Sequence, residues 1–420
     1  MQNKNYLIFV AQLQNFRYFF KWLFLALAVA IGAGSASAIF LLALDWATEK
    51  RMAQPLWIWG LPLAGFGVGW VYWRFGKSVE AGNNLLISEI QEPKAHIPFR
   101  MAPFVLGGTV ISHLFGASVG REGTAVQMGG ALADQVAKWF KLNQHDRRIL
   151  LMAGISAGFA SVFGTPLAGT VFALEVIIVG KLNYEALFPC ALAAILADQV
   201  CSSFGVHHSH YPCIDVPKFS GLILVSLLVA GILFGIVGQL FAYSSHRLSH
   251  LMKKYLPFAP LRPFLGGLVI ATAVWFFSAH RYIGLGIPTM LQALQEPLPC
   301  YDFVAKIIFT VVSLGSGFKG GEVTPLFFIG ATMGNALAPV LNLPIPLLAA
   351  VGFVAVFGGI ANTPLAATLM AIELFGPKIG IFAAIPCVIS YLFSGTFGIY
   401  RSQLQGLTKF GPKPPNHPLD

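Results

Sequence analysis

Gly116-Ala117-Ser118-Val119-Gly120-Arg121-Glu122-Gly123-Thr124 is the stretch that decides how this chain is read. It is a glycine-rich turn ahead of an apolar helix, and it carries one carboxylate. An ionisable group at membrane depth is costly and is a functional candidate by default. The bland alternative is a surface Arg121–Glu122 pair, with the acid complementing a helix dipole. A carboxylate at a helix N-terminus occupies the position an anion would take. Protonating it would free that position, so one residue can serve as gate and as proton carrier.

The rest of the chain says why depth is the right word. Of 420 residues, 56% are hydrophobic and 10% are charged, where a soluble chain carries about 25%. The mean hydropathy is +0.71. These figures exclude a soluble enzyme, a disordered chain, a coiled coil and a secreted disulfide scaffold. They predict an all-α polytopic membrane protein. The net charge of +10 comes from cations in short loops between apolar runs, so it reads as membrane orientation and not as nucleic-acid binding. The five cysteines lack CxxC spacing and give no metal or disulfide framework.

Leu23–Leu44, Pro55–Trp73 and Gly221–Tyr243 are uncharged, or nearly so, and long enough to cross ~30 Å of hydrocarbon. The first is too long for a signal-peptide core, and Asp45 follows it in place of a cleavage site. Ile149–Leu174 and Pro325–Ile372 are longer still, rich in Gly, Ala, Ser and Thr, and broken by Gly and Pro. Small residues let helices approach closely in lipid. The pattern predicts many short, tilted or broken helices, whose N-terminal N–H groups end inside the protein where they can hold an anion. The basic loops Lys138–Arg148 and His246–Arg262 and the tail after Tyr400 are expected in the cytoplasm, with Cys201–Ser220 outside. His207, His208 and His210 in that outer segment read as a solvated cluster rather than a metal site.

The chain repeats itself. Thr165-Pro166-Leu167-Ala168 leading to Glu175 recurs as Thr363-Pro364-Leu365-Ala366 leading to Glu373, 198 residues on. Gly120-Arg121-Glu122-Gly123-Thr124 echoes Gly320-Gly321-Glu322-Val323-Thr324, and Gly82-Asn83-Asn84-Leu85 echoes Gly284-Leu285-Gly286-Ile287. Two homologous halves follow, residues 23–204 and 221–403, joined by a loop at 205–220. A cytoplasmic segment 1–22 precedes them and a short cytoplasmic tail 404–420 follows. Transporters built this way hold substrate between the repeats near the midplane. Spacing alone does not decide whether the halves are parallel or inverted.

Gly120-Arg-Glu-Gly123, Gly320-Gly-Glu-Val-Thr-Pro325, the two Thr-Pro-Leu-Ala blocks and Gly398-Ile-Tyr400 resemble the CLC family of anion channels and anion/proton antiporters, over roughly residues 20–405. The resemblance implies a multi-pass homodimer in the cell (inner) membrane, with one anion pathway per subunit and two inverted halves. It implies a gating, proton-coupling role for Glu122 and a dehydrated anion site at Asn83, Gly123, Val323, Thr324 and Tyr400. No cofactor and no metal are implied.

Three departures resemble the family's fluoride-exporting branch: Gly82-Asn83-Asn84-Leu85-Leu86 for the usual Gly-Ser-Gly-Ile-Pro, Thr124 for Pro, and Gly321-Glu322-Val323-Thr324-Pro325 for Gly-x-Phe-x-Pro. Fluoride is small and strongly hydrated, so replacing its water takes good donors. Asn83 offers an amide and Thr324 a hydroxyl. The transported ion is expected to be fluoride or chloride; the expectation is a fluoride/proton antiporter that exports fluoride, with a voltage-gated-type chloride channel or chloride/proton exchanger as the alternative. Val176 stands where chloride antiporters often carry an inner glutamate. Glu322 is expected at a helix N-terminus with a structural partner. Glu175 and Glu373 are expected to be structural, near Lys181 and Lys378. Phe327 and Phe328 read mainly as core, and His113 as a satisfied packing residue. No Ser/His or His/Asp set supports a membrane enzyme.

Overall fold

The computed structural model describes residues 2–406 and 409, apart from 210 and 397, with side chains from residue 12 onward. Residue 210 and most of the tail after 404 therefore lie outside the described residues. The first half contains α1 (Gln2–Ala53), α2 (Leu61–Phe75), α3 (Asn83–Gln91), α4 (Met101–Phe115), α5 (Glu122–Trp139), α6 (Gln144–Phe163), α7 (Pro166–Glu175) and α8 (Leu187–Ser203). The second contains α9 (Gly221–Tyr255), α10 (Leu261–Phe277), α11 (Ile287–Ala293), α12 (Asp302–Ser316), α13 (Val323–Leu337), α14 (Ile345–Ile360), α15 (Pro364–Phe375) and α16 (Gly380–Phe393). The two halves run through the same sequence of long and short helices. The one strand pair described is Ile178–Val179 with Leu404–Gln405.

The breaks fall where the chain chemistry puts them. The uncharged run Ile149–Leu174 stops at Gly164, which takes the left-handed conformation (φ +71°) that glycine adopts freely, and restarts with Pro166 in the first helical turn. Asn362 (φ +58°) and Pro364 do the same between α14 and α15. At ten residues, α7 is about 15 Å long and cannot cross the membrane. Its ends therefore stop at depth. The first helix, α1, runs unbroken from Gln2 to Ala53.

The halves are inverted. Glu175, at the C-terminal end of α7, accepts hydrogen bonds from the backbone N–H of Leu365 and Ala366 at the start of α15 (3.2 and 3.0 Å). Glu373, near the end of α15, accepts from Leu167 and Ala168 at the start of α7 (2.9 and 2.8 Å). Each carboxylate caps the other half's helix, which requires α7 and α15 to run antiparallel. Both glutamates are structural, as expected, but helix N-termini hold them and not lysines. Lys378 instead pairs with Asp215 at 3.7 Å.

The core is built on α6 and α14. From Leu347 to Ile360, α14 is buried on every face, as a helix that is apolar all round must be. A Cβ at Gly330 of α13 would collide with the carbonyl of Gly352 in α14, so glycine is what lets these two backbones touch. A buried ionic cluster fixes α3 against the first half: Arg147 pairs with Asp134 (2.5 Å) and Glu89 (3.2 Å).

Candidate functional site: an anion-binding centre between the halves

The two glycine-rich turns meet. Gly120 N–H donates to Gly321 O (2.6 Å) and Gly321 N–H donates to Gly120 O (2.7 Å). This antiparallel bridge sets the first turn of α5 against the first turn of α13. A Cβ at Gly321 would lie 2.8 Å from the backbone nitrogen of Gly123, and one at Gly123 would lie 3.0 Å from Asn83 Nδ2. Glycine is needed at both positions because backbone meets backbone. The N-termini of α3, α5 and α13 thus converge. The segment around Tyr400 joins them, because Asn84 Oδ1 accepts from Ser402 N–H (3.0 Å).

Glu122 is fully buried, which rules out the surface pair with Arg121. Arg121 is its neighbour only at 3.6 Å. The carboxylate does not serve its own helix. It reaches over to α13 of the other half and accepts from Thr324 N–H (3.0 Å) and Thr324 Oγ1 (2.5 and 2.6 Å). Arg121 N–H adds a bond at 3.2 Å. An anionic group therefore sits on the N-terminus of the opposite half's helix, where backbone donors and helix dipole favour negative charge.

The other expected residues fall around it. Val323 is buried beside Thr324. Asn83 has a buried Oδ1 with no hydrogen-bond partner among the described residues, and its Nδ2 abuts Gly123. Tyr400 is buried, with its ring 6.4 Å from Phe172. The hydroxyl of Thr324 is committed to Glu122 in this conformation. Thr124, which stands where Pro is usual, bonds Thr109 across α4 and α5 (2.7 Å).

The expectations for Glu322 and His113 need correction. The Glu322 side chain makes no hydrogen bond or ion pair among the described residues, so the structural partner expected for it is not there; only its backbone carbonyl is engaged, accepting from Leu326 N–H (3.1 Å). His113 is buried, and neither ring nitrogen has a hydrogen-bond partner among the described residues. Phe327 stacks on Phe353 at 4.3 Å, and Phe328 lies under the Lys306 ammonium at 5.0 Å; both are core. His208 lies 3.2 Å from Asp198, His207 is exposed, and no metal-ligand group of three occurs among the described residues. Val176 is buried and its carbonyl accepts from Gln403 (2.9 Å), so an apolar side chain fills the place of the inner glutamate.

Sequence reading missed Lys306. It is fully buried in α12 and donates to the carbonyls of Tyr282 and Gly284 (both 2.9 Å). Gly284 in turn donates to Ala117, in the turn that leads to Glu122 (3.1 Å). One lysine inside the apolar stretch 303–316 was the available signal.

The family model for voltage gated chloride channels matches residues 64–395. A "Chloride/fluoride channel protein" of Pseudomonas syringae pv. tomato is 58% identical over 404 residues, 95% of this chain and 89% of that one. An "H(+)/Cl(-) exchange transporter ClcA" of Vibrio cholerae is 30% identical over 277 residues, 62% of this chain and 58% of that one. The crystal structure of a CLC-type fluoride/proton antiporter superposes with a TM-score of 0.89 at 35% identity, covering 92% of this chain and 98% of that one. With its inverted halves and helix N-termini meeting at Glu122, this multi-pass membrane chain belongs to the CLC family of voltage gated chloride channels.

Proposed function

We propose that the protein exports fluoride in exchange for protons. The observation that carries this is the Glu122 carboxylate lying across the N-terminus of α13, held by the backbone N–H and hydroxyl of Thr324. A carboxylate there excludes an anion, and protonation removes the charge that holds it. A fluoride ion then takes the same donors, with Asn83, Gly123, Val323 and Thr324 around it and Tyr400 at its inner side. Return of the deprotonated carboxylate expels the ion, so one site alternates between a proton carrier and an anion. The strong donors suit an ion whose hydration must be replaced. The likeness to a relative named for chloride and fluoride and to a fluoride/proton antiporter structure supports the choice of ion.

The remaining parts of the proposal follow family membership. The working unit is a homodimer in the cell inner membrane with one pathway per subunit. The repeats span residues 23–204 and 221–403, the linker 205–220 faces out, and the termini face the cytoplasm. The basic loops serve orientation, not nucleic-acid binding, and no step uses a cofactor or an enzymatic reaction.

Glu122→Gln in liposomes tests the assignment. A glutamine cannot cycle a proton, so proton-driven fluoride transport stops while the protein stays folded. Undiminished coupled transport by that variant sinks the reading. The alternative, a chloride channel or chloride/proton exchanger, has the Vibrio cholerae relative in its favour. Parallel fluoride- and chloride-electrode recordings on the same liposomes decide it, and a large preference for chloride retires the fluoride reading.

A further inference from the structure

We propose that the groove between α2 and α4 is a binding site for an anionic phospholipid, with one acyl chain in the groove and the phosphate in a basic pocket at its end. The groove is a cavity of about 610 Å³ lined by Leu63, Gly67, Val71, Phe104, Gly107 and Ile111 among others. It runs along α2 from Gly60 to Tyr72, a rise of about 18 Å, close to the depth of one bilayer leaflet at ~15 Å.

Two glycines on its floor have no packing reason to be glycine. A Cβ at Gly65 would lie 2.7 Å from the Pro263 carbonyl, and one at Gly108 would lie 3.0 Å from the Lys319 side chain. Those glycines let protein meet protein. A Cβ at Gly67 or Gly107 would meet nothing within 4 Å. The space they leave is open along the groove, which is the shape a chain of methylenes fills.

The second observation is charge. Tyr72 is a shared wall: one side faces the groove, and the other faces a smaller cavity of about 110 Å³. Lys77, Lys253, Arg262 and Lys319 line it, against one carboxylate, Glu80. Among the described residues no carboxylate lies within 4.0 Å of Lys77, Lys253 or Lys319. Lys319 rests its ammonium 4.0 Å over the Tyr72 ring, and Arg262 is held by the carbonyls of Leu256 and Pro257 (2.8 and 3.2 Å). Trp73 and Phe258 pack edge to face at the rim (5.5 Å), and Tyr255 is exposed nearby. Aromatic rims and basic pockets mark the headgroup level on the cytoplasmic side, where such pockets take lipid phosphates. The cations supply the charge a phosphodiester needs, and the groove supplies a place for its chain.

Native mass spectrometry of the full-length protein in detergent tests this with added phosphatidylglycerol, phosphatidylcholine or inorganic phosphate. Wild type retains phosphatidylglycerol in preference to phosphatidylcholine. The double variant Lys77→Gln/Lys253→Gln loses about thirtyfold in phosphatidylglycerol affinity, at ~1 kcal/mol per cation. Gly107→Leu, which fills the groove and leaves the cations, also weakens retention, and it serves where the double variant does not fold. Equal retention of the two lipids, or wild-type retention by either variant, overturns the proposal. So does displacement of the lipid by millimolar phosphate, which would mark a free-anion pocket with no role for the groove.

Discussion

Removing the reciprocal caps gives the most quantitative test of the inverted architecture. Glu175 accepts two N–H bonds from α15, and Glu373 accepts two from α7, at 2.8–3.2 Å. Hydrogen bonds to a charged group are worth ~1.5–3 kcal/mol each, and a stranded buried donor costs ~1–3 kcal/mol. Two such donors per carboxylate put Glu175→Ala or Glu373→Ala at about 2–4 kcal/mol of lost stability. Glu→Gln keeps an acceptor and loses the charge–dipole attraction, so it costs about 1 kcal/mol. The caps lie at opposite ends of a pair of helices 10 and 12 residues long, about 15 Å apart. Sites so separated behave additively to within ~0.5 kcal/mol. The Glu175→Ala loss is the larger of the two, because Glu175 is buried and Glu373 half-buried. Reversible denaturation in mixed micelles measures all four values and the double variant. If Gln is as damaging as Ala, the carboxylates are not caps. If the double variant departs from additivity by more than 1 kcal/mol, the two caps are not separate points on an antiparallel pair.

Four further outcomes follow from the centre itself. Glu322→Gln leaves unfolding within ~0.5 kcal/mol of wild type, since the Glu322 side chain bonds to no described residue, yet slows fluoride exchange at least tenfold; equal stability with equal transport would remove Glu322 from the pathway. Gly321→Ala drives a methyl to 2.8 Å from Gly123 N and opens the Gly120–Gly321 bridge, so fluoride flux falls at least tenfold while the dispersed protein is still recoverable from detergent. Thr124→Val strands the Thr109 hydroxyl and costs ~1–3 kcal/mol, whereas adding Thr109→Val restores most of it; a double variant worse than the single one contradicts the pairing. Asn83→Ser shortens the donor at the start of α3 and raises chloride flux relative to fluoride flux, read with paired electrodes; an unchanged ratio removes Asn83 from the selectivity site.

The parts of this molecule that were legible from sequence are those written in local chemistry. Pro166 and Pro364 open helices wherever they occur, and Gly164 ends one, so the breaks in two long uncharged runs could be read directly. The repeat of Thr-Pro-Leu-Ala and a distal Glu showed two halves. Their inversion was not readable, because an offset of residues carries no direction in space. It needed the exchange of caps between Glu175 and Glu373. The same gap explains the partners that were misassigned. Lys181 and Lys378 are near those glutamates in sequence, but the donors that hold the carboxylates lie about 190 and 206 residues away. Lys306 escaped notice because its partners are the backbone carbonyls of Tyr282 and Gly284, which have no side-chain signature.

Glu122 shows why inversion matters for the chemistry. Had the carboxylate capped its own helix, it would sit beside its own backbone, and displacing it would disturb only α5. Instead its acceptor atoms are on the first half and two of its three donors, Thr324 N–H and Oγ1, are on the second, the third being the N–H of its neighbour Arg121. The bond between them therefore reports on, and holds, the relation between the halves. The Gly120–Gly321 bridge keeps the two turns in register while the side chain is free to leave, since that bridge uses backbone groups alone. On the exchange proposed above, a fixed backbone bridge beside a removable carboxylate lets proton binding empty the site without separating the repeats. An anion small enough to use the same donors can then enter a site whose walls have not moved. On that proposal, exchange of proton for anion is a competition at one helix N-terminus, where the Glu122 carboxylate is fully buried.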